Sequence, residues 1–327
     1  MRFSRFGAIV LLAVTVLIGT NCTYYSRVMA RKDLVDGSNA YKNRKFADAE
    51  RLFRSAVARD PNGEHVEGQT AQLFLARTLH SRYIGDRQNT ALAEEAIAQY
   101  QNALSFTTND QSSYKAIASL YENLQRPDDW LKWVTDRSNN TSIPPEQRAE
   151  ALTSLAAKKN TCANDITDTE QTKKTITRDG KPAFQFVKPE NPADYTTLTT
   201  CVREGTALID QAIALETSQV KNAGSFDVKG ASDQQLKEMQ DMLKVFESAR
   251  SYKASLLVQQ MRLAEMDGNE AERDRLKGLS ETARNEFIQL SDVVKKIQTE
   301  IDERVAAKAA EAPGGAPNPA GNSNAAN

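Results

Sequence analysis

The segment 33–61, DLVDGSNAYKNRKFADAERLFRSAVARDP, restricts the fold of this chain more than any other part of it. Its small and aromatic residues have the spacing of a helix–turn–helix unit of about 34 residues. Small residues let the two helices approach, an aromatic residue fills the space between them, and a proline stops the second helix because it lacks a backbone N–H. The residues that carry this pattern are Gly37, Ala40, Phe46, Ala49, Phe53, Ala56 and Pro61.

The segment resembles a tetratricopeptide repeat (TPR) over its whole length, although Asp36 stands where leucine is usual and Ala40 where tyrosine is usual. The resemblance is closest here and continues, with more departures, over 70–138 and 145–285. It implies an all-α fold, a solenoid of TPR-like helical hairpins. It also implies that the chain binds proteins or peptides in a concave groove and has no catalytic chemistry of its own.

Two further units follow the first within 31–138. In the second unit, we expect the extra segment 81–92 to lengthen the turn between the helices. In the third, Pro127 falls in the turn and Trp130 stands where the family usually has alanine. The other pattern residues are Leu75, Ala76, Leu79, Ala96, Tyr100 and Ala103 in the second unit, and Tyr114, Ile117, Ala118, Tyr121, Trp133 and Val134 in the third.

A fourth unit over 139–217 is predicted to be split by an insert. Its first helix is expected over 145–159, whereas the pattern of its second helix resumes only near Gly205. Within the insert, β-prone residues lie on both sides of Asp179-Gly180, a pair typical of a two-residue turn between strands. The insert is therefore predicted to contain a small β-hairpin.

Cys162 and Cys201 are the two cysteines that follow the amino-terminal region. They form either a disulfide or a pair of buried thiols, and export of the chain favours the disulfide. Aligned to the repeat, Cys162 falls at the end of the fourth unit's first helix and Cys201 in the first turn of its second. These places face each other across a helical hairpin, so the disulfide would close the base of the insert.

Long helices are predicted from Ser232 onward, within a last folded region over 218–310. An apolar stripe there recurs at steps of three and four residues. It either caps the last open hairpin of the solenoid or joins two chains as a coiled-coil homodimer. The tail over 311–327 is small and polar and is predicted to be disordered. The stripe consists of Leu276, Leu279, Ala283, Phe287, Leu290, Val294, Ile297, Ile301 and Val305.

Residues 1–30 form a predicted signal or anchor segment, in which two arginines precede an apolar run at 6–19. Three alternatives remain open: an uncleaved anchor, a lipoprotein acylated on Cys22, or cleavage after Ala30 with release. Asn21 departs from the small residue expected before a lipoprotein cysteine. All three alternatives send the body of the chain across the membrane, so we expect an extracytoplasmic protein on the periplasmic face of a bacterial inner or outer membrane.

Neither the composition nor the motifs indicate an enzyme. The 327 residues carry a formal net charge of -1, without the basic stripe that nucleic acid would require. His65 and His80 are the only histidines and belong to no metal-spaced cluster, so no metal and no cofactor are predicted. The catalytic alternative is a site in the insert over 179–194, where no acid–base or nucleophile pair is visible.

The predicted binding site is the groove, which first-helix residues line in a TPR array. Its mixed charge, with several basic groups, suits an extended peptide of some acidic character. The predicted function is a membrane-tethered scaffold or adaptor, with a self-associating spacer as the alternative. By alignment the groove residues are Ser38, Tyr41, Lys42, Arg77, His80, Ser81, Lys115, Ser119, Glu122 and Asn123.

Overall fold

A computed structural model describes residues 24–107, 109–178 and 180–311, which divide into two compact units, Met1–Trp133 and Val134–Asn327. The first unit contains α1 (24–42), α2 (Phe46–Arg59), α3 (Val66–Gly85), α4 (Thr90–Phe106), α5 (Gln111–Asn123) and the start of α6 (Pro127–Asn139). The second contains the rest of α6 and then α7 (Pro145–Thr167), β1 (Lys173–Arg178), β2 (Lys181–Phe186), α8 (Pro192–Ala214), α9 (Ser218–Lys221), α10 (Asp233–Met266) and α11 (Glu270–Glu311).

The first unit consists of antiparallel helical hairpins whose contacts follow the sequence pattern. Phe53 of α2 is fully buried and stacks on Phe74 of α3, with 5.5 Å between the ring centroids. Its ring lies so close to Gly37 that a Cβ there would approach within 2.7 Å of it. In the last hairpin, Trp133 stacks on Tyr114 at 5.6 Å. The predicted class of TPR-like helical hairpins is therefore confirmed.

The prediction that 81–92 lengthens the turn of the second hairpin is wrong. α3 continues to Gly85 and α4 begins at Thr90, so most of the extra residues extend the helices. Burial explains the extension of α3, because Tyr83 is only 2% exposed and its packing stabilises one more helical turn. Pro127, which was expected in the third turn, is the first residue of α6, a position that suits proline because no N–H is needed there.

Asp110 caps the amino terminus of α5, and its removal should destabilise the first unit. Its carboxylate accepts hydrogen bonds from the backbone N–H of Ser113 at 2.9 Å and from the Ser112 hydroxyl. Burial opposes ionisation, but the hydrogen bonds from Ser113 and Ser112 outweigh it and lower the pKa of Asp110 below its ordinary value of 3.8. We expect Asp110→Ala to lower the free energy of unfolding by about 1 kcal/mol at neutral pH.

The same cap should make stability depend on pH in acid. Because the folded-state pKa of Asp110 is depressed, its contribution is present above the ordinary pKa and is lost as the pH falls through the folded-state value. Asp110→Asn keeps a capping oxygen and does not titrate. Urea midpoints measured from pH 7 down to pH 3 should therefore fall more steeply for the native chain than for Asp110→Asn, and equal slopes would contradict the assignment.

The core of the second unit is built on the α7–α8 hairpin. α10 packs across both helices, and α11 packs antiparallel on α10. Phe246 of α10 and Ile297 of α11 are fully buried in this core. The amino terminus of α10 carries a capping box, in which Ser232 and Gln235 each accept a hydrogen bond from the other's backbone N–H.

Cys162 and Cys201 form a disulfide between α7 and α8, with 6.2 Å between their Cα atoms. The predicted position at the base of the insert is wrong. Both helices run further toward the insert than the repeat pattern indicates, because Thr167 of α7 and Leu198 of α8 are completely buried. The disulfide therefore joins the interiors of two antiparallel helices, with about a turn or more of helix beyond each cysteine.

The predicted β-hairpin is present as the antiparallel pair β1–β2, in the register Lys173↔Phe186. Gly180 has φ +74°, the left-handed conformation that a two-residue turn requires and that glycine adopts without strain. Phe186 at the end of β2 is 8% exposed and packs in a cluster with Cys201 and Leu198. The root of the hairpin is therefore fixed in the core beside the disulfide.

The carboxyl-terminal stripe packs mainly inside its own chain. Leu290, Val294 and Ile297 are buried against α10 and the segment before it, which is the packing that the capping hypothesis predicts. Leu279, near the start of α11, is 42% exposed. α11 includes Glu311, and the remainder of the predicted tail lies outside the described residues.

Candidate binding face

The first helices of the three hairpins in the first unit lie side by side. The Tyr41 hydroxyl of α1 is 3.2 Å from the Ser81 hydroxyl of α3. Arg77 of α3 donates to the Ser112 hydroxyl of α5 at 3.0 Å. These two contacts join α1 to α3 and α3 to α5, so the three helices form one continuous row. We call the outward surface of α1, α3 and α5 the helix-A face.

An aromatic and cationic cluster occupies the α1–α3 part of this face. The Tyr41 ring packs edge-on against Phe46 at 5.5 Å and against Phe74 at 5.9 Å. The Arg77 guanidinium lies over the Phe74 ring, 5.4 Å from its centroid. Tyr41, Phe74 and Arg77 each contact at least two partners, so the cluster holds a cation, a phenol and an aromatic ring in fixed positions.

The predicted groove residues fall into two groups by exposure. Ser38, Tyr41, Arg77, His80 and Ser81 are half-buried in the hairpin row, whereas Lys42, Lys115, Ser119, Glu122 and Asn123 are exposed. The hydroxyls of Ser38 and Ser81 each donate to a backbone carbonyl of their own helix. Asn123 accepts a hydrogen bond from Arg87 at 2.7 Å, which is a second connection between the second and third hairpins.

His80 packs within its hairpin. Its ring lies edge-on to Tyr100 of α4, with 3.4 Å between Nδ1 and the phenol oxygen. Burial, and then the positive charge of Arg87, lower the pKa of His80 below its ordinary value of 6.5. The imidazole is therefore neutral near pH 7, and its ring links α3 to α4 at the edge of the helix-A face.

A network of charged residues also joins the second hairpin to the first. Arg54 of α2 bridges Glu50 of its own helix at 2.8 Å and Glu95 of α4 at 2.7 Å, and Arg82 also pairs with Glu50. Burial opposes ionisation of Glu50, but hydrogen bonds from Arg54 and Arg82 outweigh it and lower its pKa. Sequence reasoning missed this network, although the four-residue spacing of Glu50 and Arg54 was a signal for its local part.

A cavity of about 120 Å³ lies where α1 begins, beside the loop that follows α2. Ala30 in its wall is 1% exposed, and the Ser26 hydroxyl donates to the Arg59 carbonyl oxygen at 3.2 Å. Arg27 reaches the buried carboxylate of Glu67, with 3.4 Å between Nε and Oε2. Ser26 and Ala30 are therefore packed as part of the first unit, whereas Arg27 and Val28 between them are exposed.

Within the described ranges, no group of three or more His, Cys, Asp or Glu residues is arranged to hold a metal ion. The catalytic alternative placed a site in the insert over 179–194. Asp179 lies outside the described residues. Asp194 lies in the first turn of α8, where its negative charge interacts favourably with the positive end of the helix dipole.

No helix in the described part of the chain is both long and apolar enough to cross a membrane. The run at 6–19 and Cys22 lie outside that part.

No protein-family model matches the sequence, and no curated protein matches it. Among solved structures, the chain is similar to one described as a Podosopora anserina kinesin light chain with nearly identical TPR-like repeats. The two are 16% identical, the match covers 84% of this chain and 96% of the other, and the TM-score is 0.23. A TM-score of that size says nothing about how the helices are arranged or what the chain does. The assignment to the TPR-like class therefore depends on the helical hairpins of the first unit.

Proposed function

We propose that this chain is a non-enzymatic scaffold or adaptor that binds protein or peptide partners through the helix-A face. The observation that carries the proposal is the row of α1, α3 and α5, joined by the Tyr41–Ser81 and Arg77–Ser112 contacts. Such a row offers an extended partner one uninterrupted surface across three hairpins, and the remaining contacts of its residues hold it in one conformation.

The chemistry of the face suits an extended peptide with acidic groups. Arg77 holds its charge over the Phe74 ring, and Lys42 and Lys115 are exposed farther along the row. Glu122 adds an opposite charge at the α5 end. Charges of this kind steer encounter and set the register of a bound peptide, while the Tyr41 cluster supplies apolar contact.

We further propose that the protein is tethered on the extracytoplasmic side of a bacterial inner or outer membrane. The apolar run at 6–19 with two arginines before it supports export, and the disulfide supports an oxidising compartment. Cleavage after Ala30 would remove the packed first turns of α1 and the Ser26–Arg59 hydrogen bond. The packing of Ser26 and Ala30 therefore favours the two tethered alternatives over release.

Photo-crosslinking tests the binding face. We expect p-benzoylphenylalanine at Ser119, on the exposed surface of α5, to crosslink a partner in cells that express the full chain. The matched control is the same substitution at Arg51, whose side chain is 71% exposed and which lies on α2, a helix that is not part of the helix-A face. Adducts that appear equally at both positions, or at Arg51 alone, would contradict the assignment of the face.

Intact mass spectrometry of protein purified from native membranes tests the tether. Acyl chains on an amino-terminal Cys22 would identify a lipoprotein, and an unprocessed amino terminus would identify an uncleaved anchor. Recovery of the chain only in the soluble fraction, with Cys162 and Cys201 open to alkylation without reductant, would contradict both the tether and the compartment.

The self-associating spacer is not favoured by the packing of α11. Leu290 and Ile297, which that hypothesis places at a dimer interface, are 3% and 0% exposed within their own chain. Charged substitutions there would disrupt the core of the second unit, so they cannot serve as a specific test of association.

A further inference from the structure

The hairpin β1–β2 and its flank carry a concentration of positive charge that the helix-A face does not use. The segment 173–188, KKTITRDGKPAFQFVK, contains five basic residues and one acid, a net charge of +4, whereas the whole chain has a net charge of -1. Lys174 and Lys181 are exposed, one on each strand. Two of the five basic residues are ion-paired, Lys173 with Asp168 and Lys188 with Asp267, each at 2.6 Å. The charge of the exposed Lys174 and Lys181 favours an acidic ligand.

The hairpin is fixed through β2, which leaves β1 as its outer strand. Phe186 at the end of β2 is buried, and the Arg262 guanidinium of α10 lies 4.5 Å from the centroid of its ring. Beyond it, Lys188 pairs with Asp267 at 2.6 Å. In the described part of the chain, the sheet consists of β1 and β2 alone. The second edge of β1 therefore has no strand beside it.

The hydrogen-bond pattern shows which backbone groups this edge presents. The N–H of Val187 donates to the Thr172 carbonyl oxygen at 2.9 Å, so Thr172 and Val187 are a hydrogen-bonded pair. Such pairs alternate along an antiparallel ladder, so the backbone groups of Thr175 and Thr177 point away from β2. The N–H of Lys173 is already used, since it donates to the Thr169 carbonyl oxygen at 2.9 Å.

The opposite edge is less able to accept a strand. By the same alternation, Pro182 occupies an outward-pointing position of β2, opposite Thr177. Proline has no N–H to donate, so a strand added there would lose a ladder hydrogen bond. β1 contains no proline, and its Thr-Ile-Thr centre has high β-propensity.

We infer that the β1 edge is a docking site for an extended acidic segment of a partner protein, added as a third, antiparallel strand. Main-chain bonds to Thr175 and Thr177 would supply the pairing. Side chains of the added strand would lie opposite those of β1, an acid facing Lys174 and an apolar residue facing Ile176 on the same face. This site is separate from the helix-A face and does not depend on its function.

Charge distinguishes this occupant from two others. A second copy of the chain would bring another KKTITR strand, with three basic residues and no acid, so like charges would meet. The carboxyl-terminal residues 312–327 contain no acid to face Lys174. An anionic membrane would satisfy the charge, but it would make no use of the outward N–H groups.

The test is fluorescence anisotropy with the full, oxidised chain and a labelled peptide, Thr-Val-Thr-Glu-Glu-Thr. In the antiparallel register its residues face Thr177, Ile176, Thr175, Lys174, Lys173 and Thr172 in that order. We expect saturable binding that weakens at least about tenfold when the first and third residues of the peptide are N-methylated, because these two lose their bonds to the edge. A peptide with lysines in place of its glutamates should not bind.

Protein variants test the same contacts from the other side. Lys174→Glu should weaken binding roughly threefold to tenfold, since an attractive cross-strand pair becomes repulsive. The matched control is Lys237→Glu, an exposed lysine on α10, which should leave the affinity unchanged. Thr175→Pro removes one outward N–H without changing charge, so it should weaken binding, though by less than N-methylation at two positions does.

Four results would overturn the inference. The first is that the peptide does not bind. The second is that its N-methylated form binds as tightly as the unmodified peptide. The third is that Lys174→Glu and Lys237→Glu lose affinity to the same extent. The fourth is a chain that dimerises in sedimentation through β1, with the dimer lost in Thr175→Pro. Equal binding of the N-methylated form, together with Lys174-dependent binding to phosphatidylglycerol vesicles, would assign the hairpin to a membrane surface instead.

Discussion

Phe53→Ala is expected to lower the free energy of unfolding of the first unit by about 3–5 kcal/mol. The Phe53 ring is fully buried, and it contacts α1 at Gly37 and α3 at Phe74. Its removal leaves a cavity that α1 cannot fill, because the nearest residue on that helix has no side chain. The result should be seen by urea unfolding followed through tryptophan fluorescence, since Trp130 and Trp133, the only tryptophans, both lie in the first unit.

A matched control separates this core effect from a general response to truncation. Ile84 of α3 is 55% exposed, so Ile84→Ala should change the free energy of unfolding by no more than about 0.5 kcal/mol.

A double variant tests the contact between Phe53 and Gly37. Gly37→Ala alone should destabilise the first unit, because its Cβ would lie 2.7 Å from the Phe53 ring. In the double variant with Phe53→Ala the clash disappears. The loss of unfolding free energy in the double variant should therefore be smaller than the sum of the losses in the two single variants. Strict additivity would mean that the two residues are not in contact.

The contact between Gly37 and Phe53 was predictable from the sequence because it lies within one hairpin. The spacing of small and aromatic residues sets it, and that spacing is local. The contact between Arg77 and Ser112 joins neighbouring hairpins, and only the stacking of one hairpin on the next brings the two side chains to 3.0 Å. A repeat alignment can place residues on one face of the helices, but it does not show which side chains they contact in the neighbouring hairpin.

Helix ends were the part of the fold that sequence reasoning placed least well. α7 was expected to end near residue 159 and instead continues to Thr167, because the residues beyond are buried against α8 and α10. That burial is a tertiary effect with no signal in the repeat pattern. The β-hairpin was easier to predict, since Asp179-Gly180 is a local turn signal. The open edge of β1 was not predictable in this way, because the backbone groups that point outward are set by the Thr172–Val187 hydrogen bond.

The disulfide should contribute on the order of 4 kcal/mol to the second unit, and this contribution is lost when Cys162 and Cys201 are both replaced by serine. The two cysteines are separated by 39 residues, and closing a loop of that length restricts the unfolded chain by about this amount. Hydrogen exchange measured on peptides from α7 and α8 should report the loss. Protection there should fall by roughly two to three orders of magnitude, provided that these helices exchange through unfolding of the unit.

Two comparisons make the disulfide prediction specific. Reductant added to the native chain should reproduce the double serine variant, because both release the same loop, whereas Cys22→Ser should leave exchange in α7 and α8 unchanged. The effect should include β2, since Phe186 packs in the same cluster as Cys201. Exchange that increases in β1 and β2 while α7 and α8 stay protected would mean that the bridge anchors the hairpin alone. Unchanged protection throughout would show that helix packing holds the α7–α8 pair without the bridge.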